Sequence, residues 1–254
     1  MTDLNMDFTG KVAMVTGGSR GLGKAIAMNM AEKGAQVIIC SRKQENLDQT
    51  VEAFRKAGVD IMAQVANVGK SDQVENLFQA AQERFGKLDI LVNNVGMNIL
   101  TPSVTEAEER LWDKIIETNL KGTFLTSSRA ADLMKKSGGG KIINISSIAA
   151  KQAARGMGIY CVAKAGVEML TKVLAVELAP EHINVNAVAP CVVKTKFSQP
   201  FWSDEVLLGE ITKTIPMGRI AEIDDVVGTV LFLASGLSDF ITGETITVDG
   251  GSMA

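Results

Sequence analysis

A chain of 254 residues, 46% hydrophobic and 22% charged, is long enough to bury one large α/β core. Its net charge of −3, with no basic run, argues against a nucleic-acid surface, and no apolar run approaches the ~18 residues of a membrane-spanning helix. His182 is the only histidine, and Cys40, Cys161 and Cys191 have no metal-ligand spacing, which argues against histidine triads and zinc sites.

An odd cysteine count suits a reducing compartment. The first eleven residues are polar and mildly acidic, unlike a signal peptide, so the expected location is the cytoplasm.

In chain order, residues 11–16 read as a short buried strand built on Val12, Ala13, Met14 and Val15. It enters Thr16-Gly17-Gly18-Ser19-Arg20-Gly21-Leu22-Gly23 and then a helical run over 24–33. Strand, glycine turn and helix together present backbone N–H groups and a helix N-terminus to a phosphate. Glycine lets the backbone approach a pyrophosphate that a Cβ would hold off. The spacing is G-x-x-x-G-x-G, and on this motif alone a plain glycine-rich turn is the alternative.

Residues 36–40 form a second apolar strand, ending in Ser41-Arg42-Lys43. In dinucleotide folds this end reaches the adenosine ribose, where an acidic residue takes the 2′-hydroxyl of NAD and an arginine the 2′-phosphate of NADP. No Asp or Glu occurs between Gln36 and Gln44, and Arg42 with Arg20 is placed to clamp a phosphate. NADP(H) is favoured, with NAD(H) still open.

A helix with Leu47, Val51 and Phe54 inward precedes a strand over 59–65 and the turn Ala66-Asn67-Val68. The next helix, Ser71–Phe85, carries Val74, Leu77, Phe78, Ala81 and Phe85 on one stripe, with Ser71 as its N-cap. Residues 88–92 are a buried strand running into Asn93-Asn94-Val95-Gly96. Repeated strand–helix alternation predicts right-handed crossovers and a parallel sheet. No linker or repeat interrupts it, so residues 1–254 read as one domain.

A long helical region over 106–136 contains Asn119 and stops at Ser137-Gly138-Gly139-Gly140. The strand over 141–145 delivers Ser146-Ser147 at its carboxyl end, where α/β sheets place their ligand chemistry. On the helix predicted over 159–178, Tyr160 and Lys164 share a face, with about 5–6 Å between Cβ atoms. An ammonium about 4 Å from the phenol is worth roughly 4 kcal/mol at an effective dielectric of ~20. That is enough to draw the pKa most of the way from ~10 towards neutrality. The pair reads as a proton-transfer device or, more plainly, as a tyrosine beside a solvated lysine; Tyr160 is the chain's only tyrosine.

After the strand over 183–188, residues 196–216 are irregular and aromatic, with Phe197, Phe201, Trp202 and Pro216. The segment 191–216 is expected to be a mobile lid over a pocket. A helix over 223–235 and a strand within 241–251 complete the chain.

Taken together these residues resemble the short-chain dehydrogenase/reductase family. The ordered set is Thr16-Gly17-x-x-x-Gly21-x-Gly23, Asn93-Asn94-x-Gly96, Asn119, Ser147, Tyr160, Lys164, Pro190 and Thr195, and it spans about Gly10 to Gly251. The resemblance implies a doubly wound, seven-stranded parallel α/β sheet with helices on both faces (Rossmann-type). It also implies a nicotinamide cofactor and a homotetramer whose contacts involve the Tyr160 helix and the last strand.

Carried over by position, Tyr160 would be the acid or phenolate base, and Lys164 would lower its pKa and bind the nicotinamide ribose. Ser147 would donate to the substrate oxygen, and Asn119 would hold a water that relays protons to Lys164. Gly17, Ser19, Arg20, Gly21, Leu22 and Gly23 would cradle the pyrophosphate. Asn67 would meet the adenine amine, while Val68, Asn94 and Gly96 line the adenosine side. Pro190, Val193 and Thr195 would fix the carboxamide and pyrophosphate. Met97, Gln152, Met157, Phe197 and Trp202 would border the substrate pocket.

The chain departs from the family in three places. Asn67 stands for the usual Asp, Val95 for alanine, and Cys191 for the glycine after the proline. A Cβ at Cys191 would narrow the entrance, and positive φ there would strain it.

The implied reaction is interconversion of a ketone and a secondary alcohol on a small or medium hydrophobic substrate, using NADP(H). One alternative is reduction of a 3-oxoacyl thioester, with Arg155 meeting an acidic carrier or a CoA phosphate. Another, of a different class, is a cofactor-binding subunit or regulator with little turnover.

Overall fold

The computed structural model describes residues 6–254; Met1 to Asn5, part of the polar leading stretch, lie outside the described residues. Seven strands form one sheet: β1 (Val12–Thr16), β2 (Gln36–Ser41), β3 (Ile61–Val65), β4 (Ile90–Asn93), β5 (Gly140–Ile145), β6 (Ile183–Pro190) and β7 (Thr245–Val248). All pairings are parallel, in the order β3-β2-β1-β4-β5-β6-β7. Eight helices flank it: α1 (Gly21–Glu32), α2 (Gln44–Lys56), α3 (Ser71–Phe85), α4 (Glu109–Ile116), α5 (Gly122–Lys136), α6 (Gly158–Leu178), α7 (Glu205–Lys213) and α8 (Ile223–Ala234).

The strands are unbroken apolar runs because both faces are covered. Successive residues point to opposite sides, so Ala13, Val15, Val37 and Ile39 pack against α1, α2 and α8. Val12, Met14, Ile38 and Cys40 face the other way, towards α3, α5 and α6. No helix among the described residues is long and apolar enough to cross a membrane.

Three local expectations need correction. β3 starts at Ile61, two residues late, because the Val59 N–H closes the end of α2 on the Phe54 carbonyl at 3.0 Å. Ser71 is the first helical residue of α3, not its cap; Gln73 instead turns its side chain back to accept the Asn67 N–H at 2.8 Å. Residues 196–216 are not irregular throughout, since they contain α7, which Asp204 caps by accepting the N–H groups of Val206 and Leu207.

The long region over 106–136 is also interrupted. Between α4 and α5, residues Glu117–Lys121 form a wide π-type turn centred on Asn119. Such turns break the one-to-four hydrogen-bond ladder and tend to mark functional positions.

Candidate active site

The chain winds outward from β1 through β2 and β3, then returns to lay β4 against the other side of β1. Beyond the carboxyl ends of β1 and β4 this reversal leaves a crevice, and a cavity of about 780 Å³ opens there. Gly17 and Gly21 hold φ of +66° and +52°, values that side chains with a Cβ rarely adopt. A Cβ on Gly23 would overlap the Asn94 amide nitrogen and lie 2.6 Å from the Gly17 carbonyl oxygen. Asn94 uses that nitrogen to donate to the Thr16 carbonyl at 3.1 Å, which ties the end of β4 to the glycine turn.

This turn fits a dinucleotide. The first turn of α1 has no acidic residue and no capping side chain, so its N–H groups keep their capacity for an anion. Gly96 needs no special backbone, and a Cβ there would meet nothing closer than 3.5 Å, so internal packing does not explain the glycine. Such a Cβ would occupy cavity space instead. Arg20, Arg42 and Lys43 line the adenosine end, and among the described residues none of them pairs with a carboxylate. Asn67 lines the same end with Val68; its amide oxygen accepts the Gly69 N–H at 3.1 Å, leaving one lone pair for a ligand.

Ser147, Tyr160 and Lys164 all line this one cavity. β5 ends at Ile145 and the chain bends through the short turn Ile148–Ala150, whose Ala149 N–H donates to the Ser147 Oγ at 3.2 Å. The Ser147 O–H is thereby left to donate elsewhere. Lys164 is buried, donates to the Ile145 carbonyl at 2.7 Å, and sits 5.6 Å from the centre of the Tyr160 ring.

Burial pushes the Tyr160 phenol up to about 12, with the neighbouring Ser147 hydroxyl pulling the other way. Burial also pushes Lys164 down to about 8. The expected lowering of the phenol by its ammonium is therefore not the controlling effect. Both groups lose water, and desolvation opposes the charged form of each.

Asn119 is buried and lies behind the cavity wall. Its amide nitrogen donates to the Met97 and Ile115 carbonyls at 2.8 Å, and its oxygen accepts the Met97 N–H at 3.1 Å. Its own carbonyl receives the Thr123 hydroxyl. It thus clamps the segment after β4, and the position a Gly96 Cβ would take lies 3.5 Å from its oxygen and 3.9 Å from the Lys164 Nζ.

Met97, Gln152, Met157 and Phe197 reach the cavity, as do Pro190, Val193 and Thr195. Trp202 does not line it. Its indole N–H is spent on the Thr195 carbonyl and the Ser198 Oγ, both at 3.2 Å, so it ties together the segment that follows Val193. Phe201, with Leu207, Ile211 and Thr214, takes its place. The i, i+4, i+7 spacing of those last three was a readable helical signal.

Cys191 lines the cavity without strain, because among the described non-glycine residues only His182 has positive φ. Its thiol is raised by burial. His182, with φ of +58°, ends the turn just before β6 and does not line the cavity.

Sequence reasoning missed a buried relay behind the site. The Asn93 amide donates to the Ser127 Oγ and the Asn144 Oδ1 at 2.9 Å, and Asn144 donates in turn to the Thr171 Oγ1 at 2.9 Å. It joins β4 and α5 to β5, which leads into Ser147, and to α6, which carries Tyr160 and Lys164.

A doubly wound sheet whose glycine turn opens onto the same cavity as a serine, tyrosine and lysine defines a class of nicotinamide-dependent oxidoreductase. The chain belongs to the short-chain dehydrogenase/reductase family, and residues 17–253 match the family described as enoyl-(acyl carrier protein) reductase. It is 40% identical over 242 residues to dehydrogenase/reductase SDR family member 4 of Sus scrofa, a match covering 95% of this chain and 87% of that one.

Among solved structures it is similar to a putative gluconate dehydrogenase from Agrobacterium tumefaciens (TM-score 0.94, 35% identity, 98% of each chain). It is also similar to a gluconate 5-dehydrogenase from Burkholderia cenocepacia in complex with NADP and tartrate (TM-score 0.93, 33% identity, 97% of this chain and 96% of that one).

Proposed function

We propose that the protein interconverts a ketone and a secondary alcohol on a small or medium hydrophobic substrate, with NADP(H) favoured over NAD(H). The observation that carries this reading is the presence of Ser147, Tyr160 and Lys164 on one cavity with the glycine turn. A bound nicotinamide supplies or accepts the hydride, and the chain's own residues manage the oxygen. Ser147 donates to the substrate oxygen as charge develops on it.

Tyr160 delivers the proton. A phenol held near 12 stays protonated at neutral pH, the form an acid needs. The ammonium of Lys164, 5.6 Å from the ring centre, then offsets the phenolate charge left behind. Asn119 serves by positioning Met97 and the Gly96 backbone.

Arg42, Arg20 and Lys43 supply the cations for a 2′-phosphate, and the NADP bound to the Burkholderia relative supports the same choice. The three free cysteines suit the cytoplasm. A second reading, reduction of a 3-oxoacyl thioester, is favoured by the acyl carrier in the matched family's description and by Arg155 on the cavity wall.

The test follows the absorbance of reduced cofactor with ketones, diketones and acetoacetyl thioesters, offering NADH and NADPH side by side. Tyr160→Phe should lower turnover by about 10²–10⁴-fold and leave NADPH binding nearly intact; wild-type turnover would remove the proposed acid. Arg42→Ala should raise the KM for NADPH far more than that for NADH, and equal effects would remove the cofactor assignment.

A further inference from the structure

Charge is unevenly divided between this cavity and the rest of the molecule. The chain has 29 acidic and 26 basic residues. Yet among the described residues no Asp or Glu lines the cavity, whereas Arg20, Arg42, Lys43, Arg155, Lys164 and Lys196 do. A cleft lined by one sign of charge focuses the field and concentrates ligands of the other sign.

Four of the six cations have work in the reading above. Lys196 follows Thr195, whose side-chain carbons lie 3.7 Å from the position of a Gly21 Cβ, so it belongs to the glycine-turn end. Arg155 is left over.

Its place is well defined. It is the second residue of the turn Ala154 to Met157, closed by the Met157 N–H on the Ala154 carbonyl at 3.1 Å, with Gly156 at φ +78°. The Gly156 carbonyl accepts the Thr101 N–H at 3.0 Å, which fastens this turn to the segment that follows Met97. On that segment Asn98 also lines the cavity, with its amide oxygen buried and without a partner among the described residues. Arg155 likewise has no partner among the described residues. The same cavity is lined by the apolar side chains of Met97, Met157, Phe197 and Phe201. A guanidinium with no internal carboxylate is a donor pair for an anion.

We propose that the substrate is an oxo acid, whose carbonyl meets Ser147 and Tyr160 and whose carboxylate, at the end of an apolar chain, is seated by Arg155. This rests on the ketone-reductase reading and narrows its substrate class. The carboxylate takes no part in hydride or proton exchange; it fixes which way round the substrate lies, and Arg155 is a specificity-determining residue.

The test compares oxo acids with their methyl esters at matched chain length, using NADPH. Wild type should favour the acid in kcat/KM by about tenfold or more, through KM, and the advantage should shrink towards ~0.5 M salt. Arg155→Gln should abolish the preference while leaving the ester kinetics and NADPH affinity within about twofold; Arg155→Lys should restore part of it. Equal use of acid and ester by wild type, or an equal loss on both in Arg155→Gln, overturns the proposal. Preference for an oxo-phosphonate over the carboxylate overturns the carboxylate in favour of a phosphate ester.

If no ketone is reduced, the failure falls on the ketone reading, and binding decides the anion site alone. Saturated alkanoates with NADP should then raise the Tm of wild type but not of Arg155→Gln. No difference between the two would overturn the site.

Discussion

Lys164 illustrates how a residue's role is set by what excludes water from it. Its ammonium, held at about 8 by burial, is protonated at neutral pH and available to balance a phenolate. Above pH ~8 that balance is lost, so ketone reduction should fall with increasing pH through this range. The same burial costs stability. Between about 8 and the unfolded value of 10.5, the unfolded chain binds the proton and the folded chain does not, so stability rises with pH across that window. Tyr160, raised from 10 to about 12, acts in the opposite sense only above pH 10.

Lys164→Met should therefore abolish turnover yet raise Tm at pH 7. The stability of wild type relative to this variant should improve by about 2–3 kcal/mol between pH 8 and pH 10. Urea unfolding at pH 7, 8.5 and 10 reads this directly; a flat difference would mean that the ammonium is not desolvated. The identities of Tyr160, Lys164 and Ser147 were legible in the sequence because spacing on a helix and position at a strand end are local properties. Their ionisation was not, because it depends on α4, α5 and the β5 backbone closing over them.

At the scale of elements, the relay Asn93–Asn144–Thr171 holds α6 in register with the ends of β4 and β5. Each amide is buried and partnered, so removing one leaves others short of a hydrogen bond in a low-dielectric interior. Asn144→Ala should cost about 2–4 kcal/mol by urea unfolding and lower kcat while NADPH affinity changes little. A cost below about 0.5 kcal/mol would show the relay to be idle.

The sequence offered Asn144 only as one polar residue in a strand, and nothing local pairs it with residues 51 earlier and 27 later. The wide turn at Asn119 was hidden for a similar reason. Helical periodicity continues on both sides of it, and the cause of the break, Met97 docking onto the Asn119 amide, lies in a different segment. α7 was hidden by composition: Phe201 and Trp202 suggested an aromatic loop, whereas the Asp204 cap and the Leu207–Ile211–Thr214 spacing specify a helix.

Over the whole molecule, the helix bearing Tyr160 and Lys164 also carries an apolar stripe that is exposed among the described residues. Val162, Met169, Val173 and Val176 are exposed on α6, the last at 79%, and Phe124 is exposed on α5. A row this long on a single helix is the kind of surface that a second copy covers. We expect it to be a subunit contact of a homotetramer. Val173→Glu with Val176→Glu should lower the mass measured by light scattering from that of four chains to two or one; an unchanged mass would exclude this face.

Local chemistry in the sequence determined the order of strands and helices, the glycine turn, the absence of an acidic residue after β2, and the serine, tyrosine and lysine of the site. Each of these depends on residues a few positions apart. Tertiary structure alone decided that, among the described residues, six cations and no carboxylate share the cavity, that Trp202 turns away from it while Phe201 enters, that Cys191 sits without strain, and that the phenol and ammonium shift in opposite directions. Those outcomes depend on which distant segments meet and how completely they displace water, and no spacing along the chain encodes either.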